Sequence, residues 1–279
     1  MTFVSLTFVS IYALYFTTIH PPKRQHTFLA LLESKLYTVM WNYLVLIRRK
    51  LVNLFMAEQK FPYKESLRVG MLLAGTAGYI DSYTFAFHDN RFASFQSGNL
   101  LQLGINVASG KWHTASLFFW PVIAFFVGAV LNQIIKKASF KNEVQWEERS
   151  VFIELLGVLF VAFLELAHVN SLIVLSVLAI FMAMQADTFS KLRGMPYATV
   201  LSTGNLKTFG ATLANGFLNH DKSQFIKTRN VGLVIASFLG AAIIAHFLGL
   251  MIGDYTLFGA PILLAFVWFF VRQDRLETK

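Results

Sequence analysis

The sequence predicts an all-α polytopic membrane protein, with six transmembrane helices plus two short re-entrant helices in an inverted repeat. Three observations carry that expectation. The 279 residues are 56% hydrophobic and 14% charged, against about a quarter charged in an ordinary soluble domain. Apolar segments follow one another from residue 66 to the end. A polar cluster inside that apolar region occurs twice: QSGNLLQLG at 96–104 and STGNLKTFG at 202–210.

The extension 1–65 precedes the repeats. Its first twenty residues are apolar and then meet PPKRQH. They lack a basic start and a small-residue cleavage site, so they read as an extra span rather than a signal peptide. Lys23 and Arg24 then draw the C-terminal end of that span to the cytoplasm. The next apolar stretch contains Glu33 and Lys35, which favours an interfacial helix. A second reading starts translation at Met56. Residues 1–55 hold six of the 24 basic and one of the 15 acidic residues, so the net charge would fall from +9 to +4.

From residue 66 the predicted helices are 68–88, 97–109, 114–135, 150–168, 171–189, 203–216, 229–250 and 255–272. Six approach the roughly 20 residues needed to cross about 30 Å of hydrocarbon. Residues 97–109 and 203–216 reach only about 20 Å. Asn99 and Asn205 are 106 residues apart, as are Asp81 and Asp187. GYIDS (78–82) therefore aligns with MQADT (184–188), and FFVGAVL (125–131) matches SFLGAAI (237–243) at an offset of 112. The membrane repeats are 66–169 and 170–279, each a long helix with an Asp, a short helix with Gly-Asn, and two long helices.

Loop charges choose the orientation, because Lys and Arg stay in the cytoplasm. With six spans and the segment before residue 66 inside, fifteen Lys and Arg fall inside and only Arg91 and Lys111 fall outside. Eight spans would put Lys136–Arg149 outside. Six spans make the second half inverted and the short helices re-entrant, entering from opposite faces and meeting near the middle. The core N-terminus and the C-terminus are then cytoplasmic.

Unwound backbone at membrane depth is tolerated only around a cavity, and Gly-interrupted short segments at matching positions mark the site of an inverted-repeat transporter. The expected substrate-binding residues are therefore Ser97, Gly98, Asn99, Thr203, Gly204 and Asn205. Ser97 and Thr203 act as N-caps, Gly98 and Gly204 allow close approach, and each Asn offers a donor and an acceptor. Free N–H groups at the two helix starts suit an anionic or carbonyl group. Asp81 and Asp187 either bind a proton or cation that is coupled to transport, or only hydrogen-bond the unwound start of the short helix. Gln185 adds a hydrogen bond inside the bundle or simply packs. Lys207 binds an anion or faces the cytoplasm. Glu154 and Glu165 lie near helix ends and are expected to snorkel. Gly75, Gly78, Gly128 and Gly240 are expected to allow close helix packing.

The run GYIDSYTFAFHDNRFASFQSGNLLQLG resembles the signature of the YoaK-like family of bacterial integral membrane proteins, a family of unknown function. That pattern is Gly-aromatic-apolar-Asp, an apolar stretch, Phe-Ala, then Thr-Gly-Asn-Leu. MQADTFSKLRGMPYATVLSTGNL is similar to its second half. Ser97 stands where Thr is usual, and residues 1–55 lie outside the pattern. The resemblance covers 66–272 and implies six spans in a bacterial cytoplasmic membrane, with no substrate.

Functionally, the residues point to a secondary transporter of a small polar or anionic solute, with a passive channel or a non-transporting membrane scaffold as alternatives. An enzyme is not expected: the chain has Gly-Tyr-Ile-Asp rather than Gly-x-Gly-Asp, and FQSG and LSTG lack a Gly before Ser. With no Cys, disulfides, thiol catalysis and Cys-ligated metal are excluded. The seven His residues show no metal-ligand spacing, and there is no phosphate-binding Gly loop. No cofactor, metal or nucleic-acid partner is expected. The expected partners are the bilayer and a solute, with a homo-oligomer left open.

Overall fold

The computed structural model describes residues 61–141, 146–200 and 202–277. The expectations for an N-terminal span, an interfacial helix and a start at Met56 lie outside the described residues. Eight α-helices account for most of what is described: α1 Leu67–Phe87, α2 Gln96–Ala108, α3 Trp112–Lys141, α4 Trp146–Leu166, α5 Ser171–Thr188, α6 Ser202–Leu218, α7 Lys222–Ile252 and α8 Gly259–Glu277. Among the described residues, three helical stretches are long and apolar enough to cross a membrane: Trp112–Ser139, Ser171–Thr188 and Lys222–Gln273, the last running through α7, a 3-10 turn (Gly253–Phe258) and α8.

Local chemistry sets the boundaries. The Ser66 hydroxyl accepts from Val69 N at 3.3 Å and starts α1; Asp89 and Asn90, at φ 54° and 58°, end it. Asn170 caps α5 through Leu172 N at 2.9 Å. Asp221 caps α7 through Ser223 N at 2.8 Å. That cap starts α7 seven residues before the expected position, with Lys222, Lys227 and Arg229 in its first turns. A two-residue hairpin, β1 Lys191–Leu192 with β2 Met195–Pro196, was not expected. Arg193 and Gly194 form its turn at φ 49° and 76°, the left-handed pair of a type I′ turn. Arg193 N donates to Glu65 O at 2.8 Å, so the hairpin is tied to the start of α1.

Helix directions follow from cross-helix contacts. Ser237 donates to Met71 O at 2.7 Å and Ser82 to Ala242 O at 2.8 Å, so α1 and α7 run parallel. Gly78 lies so close to the Phe238 carbonyl that a Cβ there would collide with backbone, and Gly128 of α3 meets Ile180 of α5 in the same way. Further along, Asn132 of α3 donates to Thr188 Oγ1 of α5 at 2.9 Å, so α3 and α5 are also parallel. Tyr79 donates to Thr256 O at 2.7 Å while Arg68 lies 5.5 Å over Phe270, so α8 opposes α1. Phe152–Trp268 and Phe163–Phe258 ring contacts at 5.5 and 5.2 Å make α4 oppose α8. Ser150 meets Thr188 at 2.8 Å and Gly157 meets the Phe181 ring, so α5 opposes α4. In sum, α1, α4 and α7 run one way and α3, α5 and α8 the other.

The buried core is drawn from α1, α4, α5 and α8, with Leu73, Ile80, Val158, Leu178 and Leu264 all at 0% exposure. Outward faces carry large apolar side chains, among them Phe126 on α3 and Phe247 on α7. Bare hydrocarbon on that scale is a surface for lipid rather than water. Of the four glycines expected at close packing positions, Gly240 has nothing within 4 Å.

Candidate functional site

The two Gly-Asn turns are built alike. Asn99 Nδ2 donates to Phe92 O at 2.8 Å, and Phe92 N donates to Asn99 Oδ1 at 3.1 Å. Asn205 Nδ2 donates to Ala198 O at 2.8 Å, and Ala198 N donates to Asn205 Oδ1 at 3.3 Å. Each side-chain amide thus pairs with the backbone seven residues earlier, and Phe92 and Ala198 are themselves 106 residues apart. A primary amide matches a peptide group in both directions, which is why Asn serves here. Asn99 also donates to Gln96 Oε1 at 2.8 Å.

The neighbouring positions differ from the expectation. The N-cap position of α2 is Phe95, which makes no side-chain cap bond. Ser97 and Thr203 stand inside the first turns of α2 and α6 and are exposed. The helices begin one residue earlier than expected because the Asn bonds, not hydroxyl caps, fix the entering loop. Gly98 is closely approached, but by Phe92 and Phe95 of its own loop; Gly204 is exposed with nothing within 4 Å. Lys207 is exposed on the first turns of α6. The short helices do not meet extensively: α2 packs on α3 and α6 on α7.

Both aspartates accept hydrogen bonds from within the protein. Asp81 accepts from Ser94 N at 2.8 Å and from Ser94 Oγ at 2.6 Å, fastening the loop that leads into α2. At position 200, aligned with Ser94, stands Val200. Asp187 turns instead to α3, accepting from Asn132 Nδ2 at 2.8 Å and Gln133 Nε2 at 2.6 Å. Ser150 completes this network by donating to Asn132 Oδ1 at 2.7 Å. Gln185 is buried and donates to Leu73 O at 3.1 Å, so it joins α5 to α1.

Glu154 and Glu165 do not snorkel. Glu154 is at 0% exposure and Glu165 is buried. Glu165 accepts from Tyr83 OH at 2.9 Å and lies 3.2 Å from His88 Nε2. His88 Nδ1 is 2.7 Å from Ser171 Oγ, to which Arg91 Nη2 donates at 2.9 Å. This buried cluster at the C-terminal ends of α1 and α4 was missed. Its residues are far apart in sequence, and they meet because the parallel helices α1 and α4 end together where α5 begins. At the opposite end, a cleft of about 180 Å³ is lined by Lys64, Trp146, Glu147, Thr188, Ser190 and Lys191. Lys64 and Glu147 form an ion pair of 2.6 Å on its wall.

Comparisons with curated proteins and with solved structures give no match. A family model described as "Protein of unknown function (DUF1275)" matches residues 69–270, which take in both Gly-Asn turns, both aspartates and all eight helices in whole or part. The chain belongs to this family of unknown function.

Proposed function

We propose that the protein is a secondary transporter of a small polar or anionic solute, with six spans, two re-entrant helices and an inverted repeat in a bacterial cytoplasmic membrane. The helix directions carry this reading. α1, α3 and α4 run opposite to α5, α7 and α8, their counterparts in the second half. Each half lends its first helix to the other, as α1 lies along α7 and α5 along α3. Inverted halves packed against one another are the construction in which rocking exposes one site to either face. Because α1 and α3 are antiparallel, α2 leaves from and returns to one end of the bundle, and so does α6 between α5 and α7. Charge agrees with that orientation: Lys64, Lys136, Lys137, Lys191, Lys222 and Arg272 share one end, against Arg91 and Lys111 at the other.

In this reading Asn99 and Asn205 position the turns, and the solute meets the exposed groups: the Ser97 and Thr203 hydroxyls, the backbone at Gly204, and Lys207. The cleft at the basic end is the inner approach. The pairing of both Asn amides with backbone favours one second reading, a membrane scaffold that moves nothing. Proteoliposomes loaded with panels of labelled small anions and polar solutes separate the two. Saturable uptake that falls at least tenfold in Ser97→Ala/Thr203→Val supports transport. Uptake equal to empty liposomes across the panel supports the scaffold. Flux with no dependence on an ion gradient indicates a channel.

A further inference from the structure

Glu154 occupies the middle of α4, and neither of its carboxyl oxygens has a hydrogen-bond partner. Ser150 meets Thr188 and Gly157 meets Phe181 across the α4–α5 seam. Ser150, Glu154 and Gly157 are spaced four and three apart; Phe181, Gln185 and Thr188 likewise. Such spacing keeps each trio on one helix stripe. Glu154 and Gln185 therefore form the middle rung of an antiparallel seam, and both are at 0% exposure. Gln185 spends its Nε2 on Leu73 O, which leaves Oε1 as an acceptor with no donor.

Three buried acceptor oxygens thus share one rung without a donor. An ionised carboxylate there would lack both a counter-charge and a hydrogen bond, an arrangement that proteins do not sustain. The charged groups on surrounding elements are engaged elsewhere. Asp187 of α5 is held by Asn132 and Gln133 of α3, Arg272 of α8 lies over Trp268, and on α4 itself Glu147 pairs with Lys64 and Glu165 with Tyr83 and His88. On α1, Arg68 lies over Phe270 and Asp81 is held by Ser94, while the Leu73 carbonyl is what meets Gln185. Hard metal cations take about six or more oxygens, twice what this rung holds.

We propose that Glu154 and Gln185 form a proton-binding site inside the bundle, with Glu154 carrying an exchangeable proton as the neutral acid and donating it to Gln185 Oε1. This deepens the transport reading by naming the coupled ion, and rests on it only for the use made of the proton. When the O–H bond breaks, the electron pair stays on the carboxylate and the proton passes to water. An anion then faces the Gln185 oxygen across the seam that joins the last helix of one half to the first of the other. Protonation is thereby linked to the fit between halves.

Infrared spectroscopy of the full chain in lipid nanodiscs tests the site in wild type, Glu154→Gln and Gln185→Leu, each in H2O and D2O. The expected wild-type spectrum at neutral pH has a buried carboxylic-acid C=O band that is lost in Glu154→Gln. The band moves to higher frequency in Gln185→Leu, where the acid loses its acceptor, and to lower frequency in D2O. Identical acid regions in wild type and Glu154→Gln would overturn the proposal. So would a band insensitive to D2O, which marks a sealed structural acid, or a carboxylate signal that responds to NaCl, which marks a metal cation. The band needs no solute, so an inactive transporter leaves this result standing, and a missing band leaves solute uptake open to detection.

Discussion

At the scale of single residues, the Gly-Asn turns show how one side chain replaces secondary structure. The peptide groups of Phe92 and Ala198 precede the short helices and have no ladder partner, so Asn99 and Asn205 supply one. Removing the amide leaves a half-buried donor and acceptor unmet, each costing up to about 1–3 kcal/mol. Asn99→Ala and Asn205→Ala are therefore each expected to destabilise the folded protein by about 2–4 kcal/mol by the same argument, with Asn99 the larger because it also bonds Gln96. Denaturant titration in detergent, followed by Trp fluorescence, checks this; equal stability of wild type and both variants would show that the turns do not depend on the amides. The Asp221 cap belongs to the same scale. Hydrogen bonds from Ser223 hold its carboxyl below the usual aspartate range. A depressed value means the cap is intact above the ordinary aspartate pKa and is lost only as pH falls through the lower, folded-state value.

Individual helices pack through a few close contacts rather than a continuous small-residue stripe. Gly78 meets the Phe238 carbonyl and Gly128 the Ile180 carbonyl, both backbone and unable to move aside. Gly78→Ala and Gly128→Ala are expected to cost about 1–3 kcal/mol by overpacking. Gly240→Ala meets open space and is expected to be neutral or to stabilise α7 by up to about 1 kcal/mol through helix propensity. Thermal unfolding of the three variants in one detergent gives the comparison. A loss at Gly240 equal to that at Gly78 would contradict the open space beside Gly240.

For the whole molecule, the decisive property is the direction of each helix. The chain lacks native Cys, so paired Cys substitutions report direction without background. Cys pairs at 71/237 and at 82/242 are expected to cross-link with short thiol reagents, whereas 71/242 and 82/237 are not. Single Cys at Lys111, Lys137 and Lys222 extends the test to the membrane. Position 111 should label from outside intact cells, and 137 and 222 only in inverted vesicles. Labelling of 137 from outside would mean eight spans and a parallel repeat.

The helices themselves were legible in the sequence because apolar length and Gly/Asn/Pro punctuation are local properties. Eight segments were expected where eight helices lie, although α7 starts seven residues earlier and α3 ends six residues later than expected, and the 106-residue offset picked out the two turns that prove to share one hydrogen-bond pattern. What the turns do was not legible, since an Asn reads the same whether it faces a solute or its own backbone. Nor were Glu154 and Glu165, whose places near the ends of an apolar segment suggested snorkelling. Their burial, the Tyr83–His88–Arg91–Ser171 cluster and the Glu154–Gln185 rung depend on which helices lie side by side and in which direction. The sequence by itself determined an apolar all-α chain with a duplicated polar motif. Only the tertiary structure decided which polar groups satisfy one another and which are left unmet, because that pairing is set by contacts between residues up to 177 positions apart, such as Tyr79 with Thr256.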